Sequence, residues 1–216
     1  FETCKSTDQC SYKASSFDIF PPLISGQIST KGKFSFKYGK VEIRAKLPSA
    51  DWVFPQIFLN PNNYRYGKMS YSSGQMRVAY TLGKRNCDLR SGVLLNAEEP
   101  FRTAKTCHKQ CQNNKDWSQY FHTYTLEWRD DGMKMAVDGI EYCDINPGVE
   151  FYITLGYGVG GHHDFSDNSS IWPNVKPWMN LDPKAMSNFW KYIQANPDWL
   201  SGDSTFQIDY IRVYAI

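Results

Sequence analysis

The residue types and spacing that bear most directly on chemistry are Gln75, Arg77 and Tyr80, in the stretch Gly74-Gln75-Met76-Arg77-Val78-Ala79-Tyr80. Side chains alternate along a strand, so Gln75, Arg77 and Ala79 share one face. A β-bulge near Ala79 would bring Tyr80 onto that face instead. An amide, a guanidinium and a phenol side by side can donate hydrogen bonds, pair with an anion and stack on a ring. They do not supply paired carboxyl groups for acid and nucleophilic catalysis, because no Asp or Glu lies between Asp51 and Asp88. Gln is a far poorer nucleophile than a carboxylate, and an ordinary Tyr ionises only near about pH 10. A partly buried Arg77 needs an internal acid such as Glu127 or Asp164, or an anionic ligand, since guanidinium suits carboxylate and phosphate.

The elements that must position these side chains are strands. Lys40 to Leu47 alternates polar and apolar for eight residues, as a half-buried strand does. Further strands are predicted at Ile24–Thr30, Lys33–Leu47, Trp52–Leu59, Gly74–Leu82, Gly92–Asn96, Phe121–Arg129, Met133–Val137, Ile140–Cys143, Phe151–Gly158 and Phe206–Ile216. Asp130-Asp131-Gly132 and Asp138-Gly139 are hairpin turns between them. A helix is predicted from Pro183 to about Ala195, with Asp182 as its N-cap. Many short strands with turns between them make an antiparallel sandwich. Residues 1–22 are polar and irregular and read as a tail or linker, leaving 23–216 as one domain.

Composition narrows the function classes. A net charge of +2 with no long basic run gives no reason to expect nucleic acid. No stretch reaches the length of apolar residues that a membrane-spanning helix needs. Aromatic content is high, with 7 Trp and 14 Tyr, which suits both a β-sheet core and a groove that stacks on sugar rings. The six cysteines, Cys4, Cys10, Cys87, Cys107, Cys111 and Cys143, point to disulfides and an oxidising, extracellular setting. The pairing is open; Cys4–Cys10 and Cys107–Cys111 are the local options, leaving Cys87–Cys143. Asn168-Ser169-Ser170 is a glycosylation sequon. His162-His163-Asp164 is not read as a metal site, because adjacent histidines on a loop rarely hold one ion together. The chain starts at Phe1 with no Met or signal-peptide pattern, as a processed chain or a piece of a longer one does. Trp172 stands in a long loop, where an exposed Trp hints at recognition.

Ser25-Gly26-Gln27-Ile28-Ser29-Thr30-Lys31-Gly32-Lys33-Phe34 and the following Tyr38-Gly39-Lys40-Val41-Glu42-Ile43-Arg44-Ala45 resemble the laminarinase-like branch of glycoside hydrolase family 16. So do Phe121-His122-Thr123-Tyr124-Thr125-Leu126-Glu127-Trp128, Val159-Gly160-Gly161 and the terminal Ile208-Asp209-Tyr210-Ile211-Arg212-Val213-Tyr214. Lys176-Pro177-Trp178 and Phe189-Trp190 resemble the arthropod β-1,3-glucan recognition and Gram-negative bacteria-binding branch, in its C-terminal glucanase-like domain. The resemblance implies an all-β, concanavalin-like jelly-roll sandwich of two antiparallel sheets, with one short helix near the C-terminus and a long groove on its concave face. Active members carry Gly-Glu-Ile-Asp-Ile-Met-Glu where this chain has Gly74 to Tyr80. Gln75 then stands at the nucleophile, Arg77 at the assisting Asp and Tyr80 at the acid/base.

The function the resemblance implies is therefore a secreted, non-catalytic recognition or immune-signalling domain. Its ligands would be microbial cell-wall polymers: β-1,3-glucan, peptidoglycan, lipopolysaccharide or lipoteichoic acid. An immune protease or receptor would be its protein partner, and a glucan-binding module would precede Phe1. The alternatives are an active endo-β-1,3-glucanase with displaced acids and a pure protein-interaction scaffold. The resemblance also nominates Trp52, Phe54, Arg65 and His122 as groove contacts beside Arg77, Tyr80 and Trp172. No cofactor is required; some members hold a structural Ca²⁺ through positions matching the Gly39 carbonyl and Asp209, oxygen ligands of the kind calcium prefers.

Overall fold

The computed structural model describes residues 23–63, 71–83, 87–112, 115–145, 151–161, 164–167, 175–200 and 205–216. The expected 1–22 tail lies outside them. Among the described residues eleven strands form two antiparallel sheets. They are β1 (Gln27–Ser29), β2 (Gly39–Lys46), β3 (Val53–Pro61), β4 (Gln75–Tyr80), β5 (Asp88–Leu94), β6 (Lys105–Gln110), β7 (His122–Trp128), β8 (Met133–Val137), β9 (Ile140–Ile145), β10 (Phe151–Val159) and β11 (Gln207–Tyr214). The six-stranded sheet runs β1-β10-β3-β4-β5-β6 and the five-stranded sheet β11-β2-β7-β8-β9.

The alternation read in β2 is the burial pattern observed: Val41, Ile43 and Ala45 are fully buried, and the residues between them are not. With Tyr124, Leu126 and Trp128 of the neighbouring β7, these three pack against Ile57 and Leu59 of β3 and Met76 and Val78 of β4 in one core between the sheets. Apolar area removed from water on this scale is what holds a sandwich closed.

A second apolar cluster covers part of the outer face of the six-stranded sheet. Trp52, Phe58, Tyr80, Phe165, Trp178, Phe189 and Trp199 belong to it. Helix α1 (Ala185–Ala195) packs there through Phe189 and Ile193, which lie on one face at i and i+4. The helix starts two residues later than predicted. Asp182 still anchors its entry: its Oδ1 accepts from the Lys184 N–H at 2.8 Å and its Oδ2 from Asn188 Nδ2 at 2.9 Å. A 3₁₀ turn (Pro197–Leu200) follows, and Trp199 donates its indole N–H to the Asp51 carbonyl at 2.8 Å.

The disulfides correct the local pairing. Cys87 bonds Cys111 and Cys107 bonds Cys143. Register explains the first: Asp88 pairs with Gln110 across β5 and β6, so the residues just beyond, Cys87 and Cys111, stand opposite each other. The second joins β6 of one sheet to β9 of the other. Strand β6 was not predicted; its sequence Lys-Thr-Cys-His-Lys-Gln is polar because it is an exposed edge. Cys4 and Cys10 lie outside the described residues.

Candidate functional site

Strand β4 contains the bulge. Ile57 pairs with Ala79 but Phe58 with Arg77, and on the other side Arg77 pairs with Gly92 but Tyr80 with Arg90. One extra residue on β4 therefore inverts the alternation. Met76, Val78 and Ala79 point into the core between the sheets, whereas Tyr80 belongs to the outer cluster with Phe58. Gln75, Arg77 and Tyr80 thus share the outer face.

Neutral amides and hydroxyls link three strands there. Gln75 Nε2 donates to Asn60 Oδ1 at 3.0 Å, and Asn60 Nδ2 donates to Thr154 Oγ1 at 2.8 Å. Arg77 Nε donates to Gln75 Oε1 at 3.4 Å. The Arg77 guanidinium lies 4.1 Å from the Tyr80 ring centre and 5.3 Å from that of Phe58, within cation–π range. Glu127 is not its partner: it sits on the other sheet and accepts from Arg129 at 2.7 Å. Asp164 makes no ion pair with it either; its carboxylate accepts the Tyr80 hydroxyl and lies 3.8 Å from Arg102 Nη2.

Tyr80 is only 1% exposed. Burial, then the negative charge of Asp164, pushes its phenol well above the ordinary range. A phenol so shifted is a poor proton donor near neutral pH.

A cavity of about 440 Å³ opens over this face, lined by Gln27, Gln56, Phe54, Gln75, Arg77 and Asp164 among others. Strand β10 leaves room for it. Gly158 pairs with Phe54 and Gly156 with Gln56, and a Cβ would stand 2.1 Å from the Phe54 ring at the first and 2.6 Å from Gln56 Oε1 at the second. Among the described residues lining this cavity, Asp164 is the sole carboxylate.

The other nominated residues separate. Phe54 lines the cavity and packs 5.6 Å from Tyr80, ring to ring. Trp52 does not reach it; at 2% exposure it is packed edge-on against Phe165 and Trp178, in the cluster that the helix covers. His122 is corrected as well. It lies on β7 of the opposite sheet, where its Nδ1 sits 2.6 Å from Asp138 Oδ2 and its ring 5.1 Å from Trp117. Its neighbours Tyr124 and Leu126 belong to the core between the sheets, the wrong side for the β4 face. Arg65, Trp172 and Asn168 lie outside the described residues.

Gly39 and Asp209 do not fit one calcium ion. Lys40 pairs with Tyr214, whereas Asp209 lies beside Arg44 and Ala45. Five residues of strand separate them, roughly 16 Å at about 3.3 Å per residue. Asp209 instead bonds Arg44 at 2.5 Å.

Sequence reasoning did not assign Asn60, Thr154, Gln56 or Arg102 to this face. They are ordinary polar residues, Gln56 and Asn60 on β3, Thr154 on β10 and Arg102 in a loop, and only the register brings them together. Asp164 was in view as a candidate partner, though for Arg77 rather than Tyr80.

The profile of glycosyl hydrolases family 16 matches residues 5–150. The chain is similar to beta-1,3-glucan-binding protein 1 of Galleria mellonella, 39% identical over 97% of this chain and 48% of that protein. It is similar to beta-1,3-glucan-binding protein 1 of Manduca sexta, 40% identical over 97% and 48%. It is also similar to Gram-negative bacteria-binding protein 3 of Drosophila melanogaster, 37% identical over 92% and 46%. The chain thus spans about half the length of the curated relatives it matches. Among solved structures it resembles the laminarinase from Rhodothermus marinus, with TM-score 0.63 and 22% identity over 88% of this chain and 70% of that one. It also resembles the endo-beta-1,3-glucanase from Pyrococcus furiosus, with TM-score 0.62 and 20% identity over 88% and 65%. At these identities the likeness is one of fold, a jelly-roll sandwich.

Proposed function

The chain belongs to glycosyl hydrolases family 16, and on that premise we propose that it is a non-catalytic, secreted recognition domain that binds microbial cell-wall glycan on the outer face of β4. Gln75, Arg77 and Tyr80 stand where the family's catalytic acids would be. The observation that carries this reading is the bonding of those three side chains. Gln75 is held as a neutral amide by Asn60, Arg77 lies on aromatic faces, and Tyr80 is a buried phenol tied to Asp164.

Retaining hydrolysis requires two carboxyl groups about 5–5.5 Å apart, one to attack and one to donate a proton. Asp164 alone among the described lining residues does not provide the pair. What the face offers is amides, hydroxyls and rings, the groups that bind sugar hydroxyls and stack on sugar rings. Relatives whose names state binding of β-1,3-glucan and of Gram-negative bacteria support the same reading. Two disulfides, and among the described residues no helix long and apolar enough to cross a membrane, accord with secretion. An immune protease or receptor would act downstream of the bound polymer.

The test is a binding panel of laminarin, peptidoglycan, lipopolysaccharide and lipoteichoic acid with the intact chain. Saturable binding to at least one, weakened by Gln75→Ala or Asn60→Ala, is expected. Failure of all four would leave the protein-interaction scaffold as the better description.

A further inference from the structure

Arg102 lies in the loop between β5 and β6, 5% exposed, with its guanidinium 5.1 Å from the Tyr71 ring centre. Its Nη2 is 3.8 Å from Asp164 Oδ1, while its Nη1 is buried and has no hydrogen-bond partner. A buried guanidinium N–H without an acceptor is costly, and native structures rarely leave one so. The nearby Asp164 carboxylate lies on the Nη2 side, at 3.8 Å, and gives Nη1 no hydrogen bond.

Arg77 lies close by, without an orphaned N–H of this kind. It is 9% exposed and holds only the Gln75 amide and two ring faces. Arg102, Arg77 and Arg90 line one small, partly open cavity of about 60 Å³, beside Ser91, Thr106 and Asp164. Arg90 is engaged by Asp88 at 2.7 Å. Glu99, the other acid lining the cavity, is exposed and spends Oε2 on the Thr103 hydroxyl at 2.7 Å. The lining holds three arginines against two acids, and Arg90 is already paired with Asp88, so the orphaned Arg102 Nη1, not a net positive charge, is what calls for an acceptor. The cavity exceeds the roughly 10–15 Å³ that one water needs and is far too small for a sugar chain.

We propose that this cavity is a seat for a single oxyanion group of the phosphate or sulfate class, held by Arg102 and Arg77. A guanidinium fork matches such a group with paired, charge-assisted hydrogen bonds, and the group would satisfy the orphaned Nη1. Arg77 and Asp164 line both the seat and the open groove, so the two spaces adjoin. The anion is free phosphate or an ester on a polymer lying in the groove. Only the second source rests on the recognition reading.

The test is calorimetric titration of the intact chain at fixed ionic strength with inorganic phosphate and with lipoteichoic acid, a phosphodiester polymer. Neutral laminarin serves as comparator, and wild type is set beside Arg102→Gln and Arg77→Gln. Phosphate should saturate one site, weakening about tenfold or more in each variant, as expected for loss of a charged hydrogen bond. Binding of lipoteichoic acid without phosphate, with the same loss in the variants, also supports the seat and identifies the ester as the source. The proposal is overturned if neither anion saturates, or if variants with native near-UV circular dichroism bind as wild type does. Should Arg102→Gln not fold, Arg77→Gln alone decides: phosphate affinity unchanged from wild type in that variant would refute the seat. Laminarin binding reports separately on the recognition reading.

Discussion

The Tyr80 hydroxyl donates a hydrogen bond to the Asp164 carboxylate, across 84 residues of sequence. This contact ties the last residue of β4 to the loop after β10 and fixes the side chain that stands at the proposed acid position. Tyr80→Phe keeps the ring against Phe54 and Phe58 and removes only the donor to a charged group. A loss of about 1.5–3 kcal/mol is expected in denaturant unfolding. A change within about 0.5 kcal/mol would mean that the contact contributes nothing beyond ring packing.

Several buried phenols give the protein an alkaline limit. Burial raises Tyr80 and Tyr124 well above their ordinary range and pushes Tyr142 up to about 12. Folded values above the unfolded one mean that the associated stability is fully present below about pH 10 and is lost as pH rises toward the folded values. Absorbance at 295 nm should show these phenols silent near pH 10.5 while the fold persists, then ionising together as it unfolds. Complete titration of all tyrosines near pH 10 in the native state would contradict this.

The two disulfides close loops of 24 and 36 residues. Each is expected to contribute roughly 3–4 kcal/mol by restricting the unfolded chain. Peptide mapping without reductant should recover Cys87 with Cys111 and Cys107 with Cys143, and the double substitution Cys107→Ala with Cys143→Ala should lower the unfolding midpoint markedly. Recovery of a Cys107–Cys111 peptide would show the register of β5 and β6 to be wrong.

The sandwich was legible because Lys40–Leu47 and Phe121–Arg129 alternate along strands with one buried face. The grouping of Gln75, Arg77 and Tyr80 was legible only conditionally. Without a bulge Tyr80 would have pointed into the core, and a bulge leaves no mark in residue type. Strand β6 escaped notice because an exposed edge strand made of Lys, Thr, His and Gln has no apolar alternation to read. Trp52 illustrates the opposite error. Its position beside the groove was expected, but Phe165, Trp178 and the Phe189 face of the helix bury it, and those partners lie more than a hundred residues away. His122 was placed by resemblance, while its strand belongs to the other sheet.

Whether the domain recognises glycan without hydrolysing it is decided by the release of reducing ends from laminarin by the intact chain. No release above a buffer control is expected, because Gln75 is a bonded amide and Tyr80 a buried phenol of raised pKa. Release above that control, abolished by changing Gln75 or Tyr80, would contradict recognition without hydrolysis.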